Sequence, residues 1–449
     1  MLNDLFDHDF VDSKARDAGL VKRTSKITPL IILDILFFCA SSPVNISLLQ
    51  ACNEIGLKYG ITLNRQSLDE RFGEASMSFI RSLLLSFLEQ QVTAVFWDQQ
   101  FLKKFNHIRV ADSTKFDVPK EFKEILSGFN GKPSSAAGIS IQYEFDLKSG
   151  GVLSLNIDGA TSSDSVYAAT AMDCISKGDL VIRDLGYYSK KNLIDIERSE
   201  AFFISRLNAK TKIYKQGENE ELVEISFREL YQEMNQQNID RKELLVYIGK
   251  DKKLQSRLMV QIVPDEVYSK RVVKLNKYNK ANGHQTSQDI KDRYRFNLFV
   301  TNIAPEDIDP DQIYLLYKLR WQIELVFKTW KSDFKLASLP KMKYHRYMTI
   351  LFAKLLLIFV NQQIVLSIRH SLFIANKKIL SLIKGFKTLC QQKNIVRMLL
   401  NKPMGAVTIF EKLVPVLKRN HWLDKRKNKT GMEEIMEIID CNSIYYRYI

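Results

Sequence analysis

Residues 107–119, HIRVADSTKFDVP, read as a strand that carries a carboxylate out of an apolar run. The segments beyond it come in a definite order. AGISIQYEFDLKSG (137–150) and GVLSLNIDGATSS (151–163) are two more alternating runs bounded by glycine-containing turns, and both read as strands. SDSVYAATAMDCI (163–175) reads as a helix with Ser163 or Asp164 at its cap. GDLVIRDLGYYS (178–189) holds a short apolar strand that runs into Asp184. KKNLIDIERS (190–199) is a second helix and AFFISRLNAK (201–210) a fifth strand.

Three strands, helix, strand, helix, strand is the order of a ribonuclease-H-like mixed sheet, so the expected fold class is α/β. Working outward, residues 1–105 read as an N-terminal helical DNA-binding domain and 106–209 as the first part of the core. Within the N-terminal region, Leu48, Leu49, Cys52 and Ile55 fit one helix, Gly56 to Leu63 a turn, and Asn64 the cap of a second helix carrying Arg65, Gln66 and Arg71. That outline is a helix-turn-helix, with Arg65 as a candidate DNA contact, or simply two packed helices. Residues 210–303 read as a β-rich insertion, with EISFRELYQ, ELLVYIG, SRLMVQIVP and RFNLFVTNI as candidate strands. The polar, basic stretch KRVVKLNKYNKANGHQTSQDIKDRYR (270–295) is expected there as a loop that either tracks a DNA backbone or is mobile. Residues 304–340 are expected to complete the core, and 341–449 read as a basic helical C-terminal region, of which DNA contact and dimerisation are expected on the charge and resemblance given below.

Inside 304–340 lies YKLRWQIELVFKTWKS (317–332). On an α-helix at ~100° per residue, Tyr317, Arg320, Glu324 and Lys331 fall within about 60° of one another. A phenol, a guanidinium, a carboxylate and an ammonium on one stripe suit a site that binds a metal and a polyanion. Such residues also occur as solvated charges of an ordinary surface helix. Leu316, Leu319, Ile323, Val326, Phe327 and Trp330 form the apolar stripe beside them, with Lys318, Gln322 and Thr329 on the solvated side.

One glutamate cannot run metal-assisted phosphodiester chemistry, because hard divalent ions take several oxygen ligands. Asp112 follows the apolar residues Ile108 to Ala111, and Asp184 lies just past the strand Leu180 to Ile182. Neighbouring strands would bring these two together, and the helix bearing Glu324 would pack across the same face. Asp158 and Asp164 read as a turn and a helix-cap residue, and Asp179 begins a strand rather than ending one. Asp117, five residues past Asp112, points to the opposite face of a regular strand.

The chain has 449 residues, 45% of them hydrophobic and 26% charged, which describes a globular protein. Its net charge is +15, and residues 336–449 alone hold 20 basic against 6 acidic side chains. That surplus favours a polyanionic partner, nucleic acid first, over mere solubility charge. Five scattered cysteines (Cys39, Cys52, Cys174, Cys390, Cys441) argue against a disulfide framework or a zinc module. The apolar runs 27–40 and 349–366 carry Asp34 and Lys354, Asn361, Gln362 and Gln363, and read as buried helices rather than membrane spans. No serine or cysteine nucleophile with a partner base is evident, and the six histidines are dispersed.

On VADST (110–114), VIRDLGYYS (181–189), FFISRLN (202–208) and the whole of 317–332, the chain resembles bacterial insertion-sequence transposases of the DDE type. These are the group marked by a Tyr-Arg-Glu-Lys signature beside the catalytic glutamate. The resemblance implies an enzyme that cuts the terminal inverted repeats of its own element and joins them to new DNA, in part through a DNA hairpin. It implies that Asp112, Asp184 and Glu324 hold two Mg²⁺ or Mn²⁺ ions, that Tyr317, Arg320 and Lys331 grip phosphates of the element's ends, and that Arg206 adds a backbone contact. Relatives that place a tryptophan late in the insertion have Phe296 or Asn297 opposite it here; Phe296 either stacks on a base in its place or belongs to the core. The partners implied are double-stranded DNA, both ends and target, and a second copy of the chain, with no membrane, in the bacterial cytoplasm near the nucleoid. A DNA-binding repressor descended from such an enzyme and a nuclease that cuts without joining are the alternatives.

Overall fold

The structure is a computed structural model, and it describes residues 2–23, 25–42, 45–91, 100–128, 136–217, 219–251, 254–376, 378, 380–392, 394–400 and 405–423. The part of the basic C-terminal region from residue 424 onward lies outside the described residues.

One ten-stranded sheet runs through the molecule: β1 (Ile108–Asp117), β2 (Gly138–Asp146), β3 (Val152–Gly159), β4 (Leu180–Arg183), β5 (Phe202–Arg206), β6 (Ile213–Gln216), β7 (Leu222–Glu224), β8 (Arg241–Ile248), β9 (Leu254–Ile262) and β10 (Phe296–Thr301). The spatial order is β3-β2-β1-β4-β5-β10-β9-β8-β6-β7. β1 pairs antiparallel with β2 and parallel with β4, and β4 pairs parallel with β5. This is the mixed arrangement of a ribonuclease-H-like core, with α-helices flanking it. The insertion extends that sheet: β10 is antiparallel to β5 on one side and to β9 on the other.

Two segments of the insertion differ from the strand and loop expected of them. EISFRELYQ is mostly the helix Phe227–Gln236, because Ser226 caps it and Phe227, Leu230 and Met234 bury one helical stripe. The basic stretch holds the helices Asp265–Asn282 and Gln288–Arg293, the first ending in the left-handed residue Gly283 and the second capped by Ser287.

Apolar side chains of the sheet fill two cores. The larger lies against Tyr344–Asn376, a 33-residue helix, and joins the N-terminal helices, β1–β3 and the C-terminal helices in one cluster. That helix is long and apolar enough to cross a membrane, yet 94% of its most apolar window is buried inside the protein. Its polar residues make specific ties: Gln362 Nε2 donates to Tyr143 Oη at 3.2 Å and to the Gly150 carbonyl at 3.0 Å. Gly150 turns β2 into β3 with φ +72°, and a Cβ there would stand 2.9 Å from Leu366 of the long helix. Lys354 Nζ donates to the carbonyls of Ala40 and Phe334 at 3.0 and 3.1 Å. The second core, on the other side of β4, β5, β9 and β10, is closed by the helices Lys190–Arg198 and Phe227–Gln236.

The N-terminal and C-terminal helical regions are bolted together by a buried charge. Asp34, fully buried on Pro29–Ser41, receives both arms of Arg397 at 2.7 and 2.6 Å, Lys58 at 2.9 Å and Tyr59 at 2.9 Å. Burial alone would raise its pKa, but hydrogen bonds and charge from Arg397 and Lys58 outweigh it and hold it low. The helix Leu48–Tyr59 runs on through Gly56 and stops only at Gly60, with φ +67°, because Ser47 and Gln50 form a capping box at its start and the 3,4 spacing continues.

Candidate active site

The site forms where β1 loses its parallel neighbour. β1 and β4 stay paired up to Ala111 and Arg183, so Asp112 and Asp184 are the first residues past that pairing on adjacent strands. β1 itself continues to Asp117 along β2, with Asp112 opposite Tyr143, so Asp112 is mid-strand rather than beyond the strand's end. A crevice at the carboxyl ends of parallel strands is where α/β sheets place their chemistry.

The signature stretch is two helices rather than one. Pro310–Leu319 and Gln322–Ser332 meet at Arg320 and Trp321, where Arg320 N–H donates to Tyr317, Ile323 N–H to Arg320 and Glu324 N–H to Trp321, all three-residue spans. Such a tightened turn inside a helical run often marks a functional position. The apolar stripe stays buried across the junction, Leu316, Leu319, Ile323, Phe327 and Trp330 included. Thr329 is also buried, contrary to the solvated side expected of it, because its hydroxyl is satisfied by the carbonyls of Leu325 and Val326 at 2.8 and 2.9 Å.

Arg320 is the hub. Its guanidinium lies 3.3 Å from Asp112 Oδ2, 3.9 Å from Asp184 Oδ1 and 2.7 Å from Glu324 Oε1. The three carboxylates come from positions 72 and 140 residues apart in the chain and converge on one cation. As placed they stand around the guanidinium rather than closing on a single point, and among the described residues no three His, Cys, Asp or Glu side chains gather tightly enough to hold one ion. Arg320 Nε is buried without a hydrogen-bond partner. Burial pushes the Asp112 carboxyl up to about 6, aided by the charges of Asp184 and Asp164 and opposed by the Ser113 N–H and Arg320.

The other candidates are placed as follows. Tyr317 hydroxyl donates to Asp184 Oδ1 at 3.4 Å, and its ring lies 4.7 Å from Phe299. Burial first, then the Asp184 charge, raises its pKa. Arg206 ends β5 directly opposite Phe299, half-buried, and its charge acts on Tyr317. Lys331 is exposed and donates to the Lys115 carbonyl on β1 at 3.1 Å. Phe296 is buried in the second core beside Phe227 and Tyr231, with ring centroids 5.7 and 6.1 Å away, so of its two expected roles the structure gives it the core one. Arg65 is exposed on the helix Arg65–Arg71, which docks at the start of the long helix through ion pairs of Asp69 with Lys343, just before that helix, and Arg346, on it, each 2.7 Å. It belongs to the helical body and not to the carboxylate cluster.

Of the two cap candidates Ser163 is the helix cap, accepting from Val166 N–H, and Asp164 opens the helix, where its carboxylate accepts from Gln142 Nε2 at 2.9 Å. Its charge is one of those that help raise the Asp112 pKa.

A mixed sheet of this topology, with acidic side chains converging beside its parallel strands, is that of a ribonuclease-H-like core. Residues 103–360 match the model of the transposase DDE domain, and the chain belongs to that family as an insertion-sequence DDE transposase. It is 28% identical over 445 residues to the transposase for insertion sequence element IS231F of Bacillus thuringiensis subsp. israelensis, covering 96% of this chain and 93% of that one. The transposase for IS231D of Bacillus thuringiensis subsp. finitimus is also 28% identical, over 96% of this chain and 92% of its own. The transposase for IS1151 of Clostridium perfringens is 28% identical over 87% and 85%.

Proposed function

We propose that Asp112, Asp184 and Glu324 form the catalytic carboxylate set of this transposase, and that it cleaves and joins the terminal inverted repeats of its own insertion sequence. The observation that carries the reading is their convergence on Arg320 from three separate elements. Three carboxylates against one guanidinium leave a net negative site of hard oxygen donors, which suits Mg²⁺ or Mn²⁺. The place the guanidinium takes between them is one that a divalent pair can compete for. Asp112, Asp184 and Glu324 would hold such ions, which would supply Lewis acidity for activating water and a DNA 3′-hydroxyl.

The remaining residues do the positioning. Arg320 is 15% exposed at its side chain and already desolvated, so a phosphate oxygen entering the site meets a charge that water does not screen. Its two-armed donor set lets it exchange a carboxylate for a phosphate without losing its geometry. Tyr317 keeps its proton well above neutral pH and offers a hydroxyl beside Asp184. Lys331 and Arg206 flank the crevice as phosphate contacts. Asp112, with its carboxyl near 6, is poised to change charge when a cation or proton arrives. Two ends must be handled together, so two copies of the chain act in the joined complex. Excision through a hairpin is part of this reading, with the flipped base accommodated elsewhere than on Phe296.

The test is incubation of the purified protein with duplex carrying the element's ends, target DNA and Mg²⁺. Cleavage and strand transfer that vanish in Asp112→Ala, Asp184→Ala and Glu324→Ala support the assignment, and hairpin-ended product on a denaturing gel supports the excision route. Cleavage without joining points to the nuclease, and end binding without cleavage to the repressor.

A further inference from the structure

The helix Asp265–Asn282 has 18 residues and none of them is buried. It is tied to the sheet along one side only. Arg271 donates to the carbonyls of Tyr294 and Phe296 at 3.1 and 3.0 Å and to Asn297 Oδ1 at 2.6 Å, and the Tyr268 ring carries Arg295 at 4.1 Å. At ~100° per residue, Tyr268 and Arg271 mark the sheet-facing side, and Lys270, Lys274, Lys277 and Lys280 fall within about 120° on the outward one. All four lysines are exposed. Among the described residues none of them has an ion-pair partner. Only Glu266, at the helix start, stands on their side, while Asp265 turns to Arg295 at 3.8 Å.

An amphipathic surface helix normally turns its charge to water because its other face is spent on a core. Here the anchored side is only half-buried, Tyr268, Val272 and Leu275 standing beside Arg271, and the outward side is a lysine ladder, so core burial explains little of the helix. Unpaired like charges at three- and four-residue spacing repel one another and cost helix stability. A polyanion laid along them removes that cost. At ~1.5 Å rise per residue the ladder spans about 15 Å, which matches two to four phosphates of a duplex strand.

We propose that Lys270, Lys274, Lys277 and Lys280 bind the phosphate backbone of duplex DNA, as a clamp in the insertion separate from the carboxylate crevice. The proposal rests on the DNA-processing reading above, and deepens it by assigning a second, sequence-independent contact. Lysines rather than arginines favour charge attraction over base readout, so the clamp adds affinity equally to end and non-end duplex.

The experiment is fluorescence anisotropy of full-length protein with end-bearing and scrambled duplex across a range of salt concentrations. The variants are Lys270→Ala/Lys274→Ala/Lys277→Ala/Lys280→Ala and the matching fourfold Arg replacement. The Ala variant is expected to flatten the slope of log affinity against log salt by about two to four units at roughly 0.9 per lost phosphate contact, alike on both duplexes, while the Arg variant keeps the wild-type slope. An unchanged slope in an Ala variant whose circular dichroism and melting match wild type overturns the clamp alone. Loss confined to end-bearing duplex also overturns it, since backbone contacts cannot discriminate. Wild-type protein that binds neither duplex removes both the clamp and the functional reading beneath it.

Discussion

The two faces of strands β1, β2 and β4 hold opposite electrostatic designs only a residue apart. On the reverse face, Glu144 receives Arg109 at 2.8 Å and Arg183 at 3.1 Å, and Asp179 receives Arg109 at 3.1 Å and His107 at 2.9 Å. Two buried acids meet two buried arginines, and the charges balance. Arg183 and Arg109 together hold the Glu144 carboxyl below its ordinary value even though burial pushes the other way. On the front face, three residues further along β1 and one beyond β4, Asp112 and Asp184 join Glu324 around a single arginine. There the acids outnumber the cation, and burial, with the charge of Asp184 adding to it, pushes the Asp112 carboxyl up to about 6. Charge balance on one face locks the strands together. Imbalance on the other leaves a site that gains by taking up cations. Strand alternation makes this possible, because successive side chains of one strand serve separate sides of the sheet.

Substitutions on the two faces therefore separate activity from stability. Asp184→Ala is expected to cost strand transfer on the order of 10³-fold or more while the melting temperature stays within a few degrees. Loss of fold with loss of activity would make the front face as structural as the back. Glu144→Gln inverts that pattern: two buried guanidinium groups lose their counter-charge, and stability in urea should fall by about 3–5 kcal/mol. A Glu144→Gln protein as stable as wild type would break the contrast at its strongest point.

Asp112→Asn sharpens it. The folded carboxyl binds its proton more tightly than the unfolded one, whose value is near 3.8, so the contribution of Asp112 to wild-type stability is greatest below pH ~4 and declines as pH rises to ~6. The variant has no such decline. At pH 7.5 it should be more stable than wild type by an amount on the order of 2–3 kcal/mol in urea, with the gap closing near pH 4. A gap that does not change with pH would show that desolvation of this carboxylate is not what destabilises the front face. The smallest effect belongs to Lys331→Ala, which removes one exposed ammonium proposed as a phosphate contact: end binding should weaken and the salt slope flatten by about one unit.

Much of this was legible along the chain. Alternating apolar runs, glycine turns and caps gave the five core strands and two helices in order, and that order fixed which acids are neighbours. The Tyr317, Arg320, Glu324 and Lys331 spacing put four polar groups on one stripe whether the helix is continuous or broken. The break at Arg320 was not legible, because the apolar periodicity passes through it unchanged. The helical character of EISFRELYQ was hidden by a Phe and an Ile that suit strands equally well, and only burial against β10 resolved it. Thr329 was misread, and the two readings of Phe296 stayed open, for one shared reason: a side chain's environment depends on what packs over it from distant segments.

By itself, then, the sequence determined most of the local elements and the family. Only the tertiary structure decided that the insertion continues the core sheet, that Arg320 rather than open space lies among the carboxylates, and that Asp164 stands near Asp112. Local order follows from backbone preference and the period of apolar residues, which neighbouring residues settle among themselves. Charge convergence depends on strand register and helix docking across more than a hundred residues, and those are fixed only when the whole core closes.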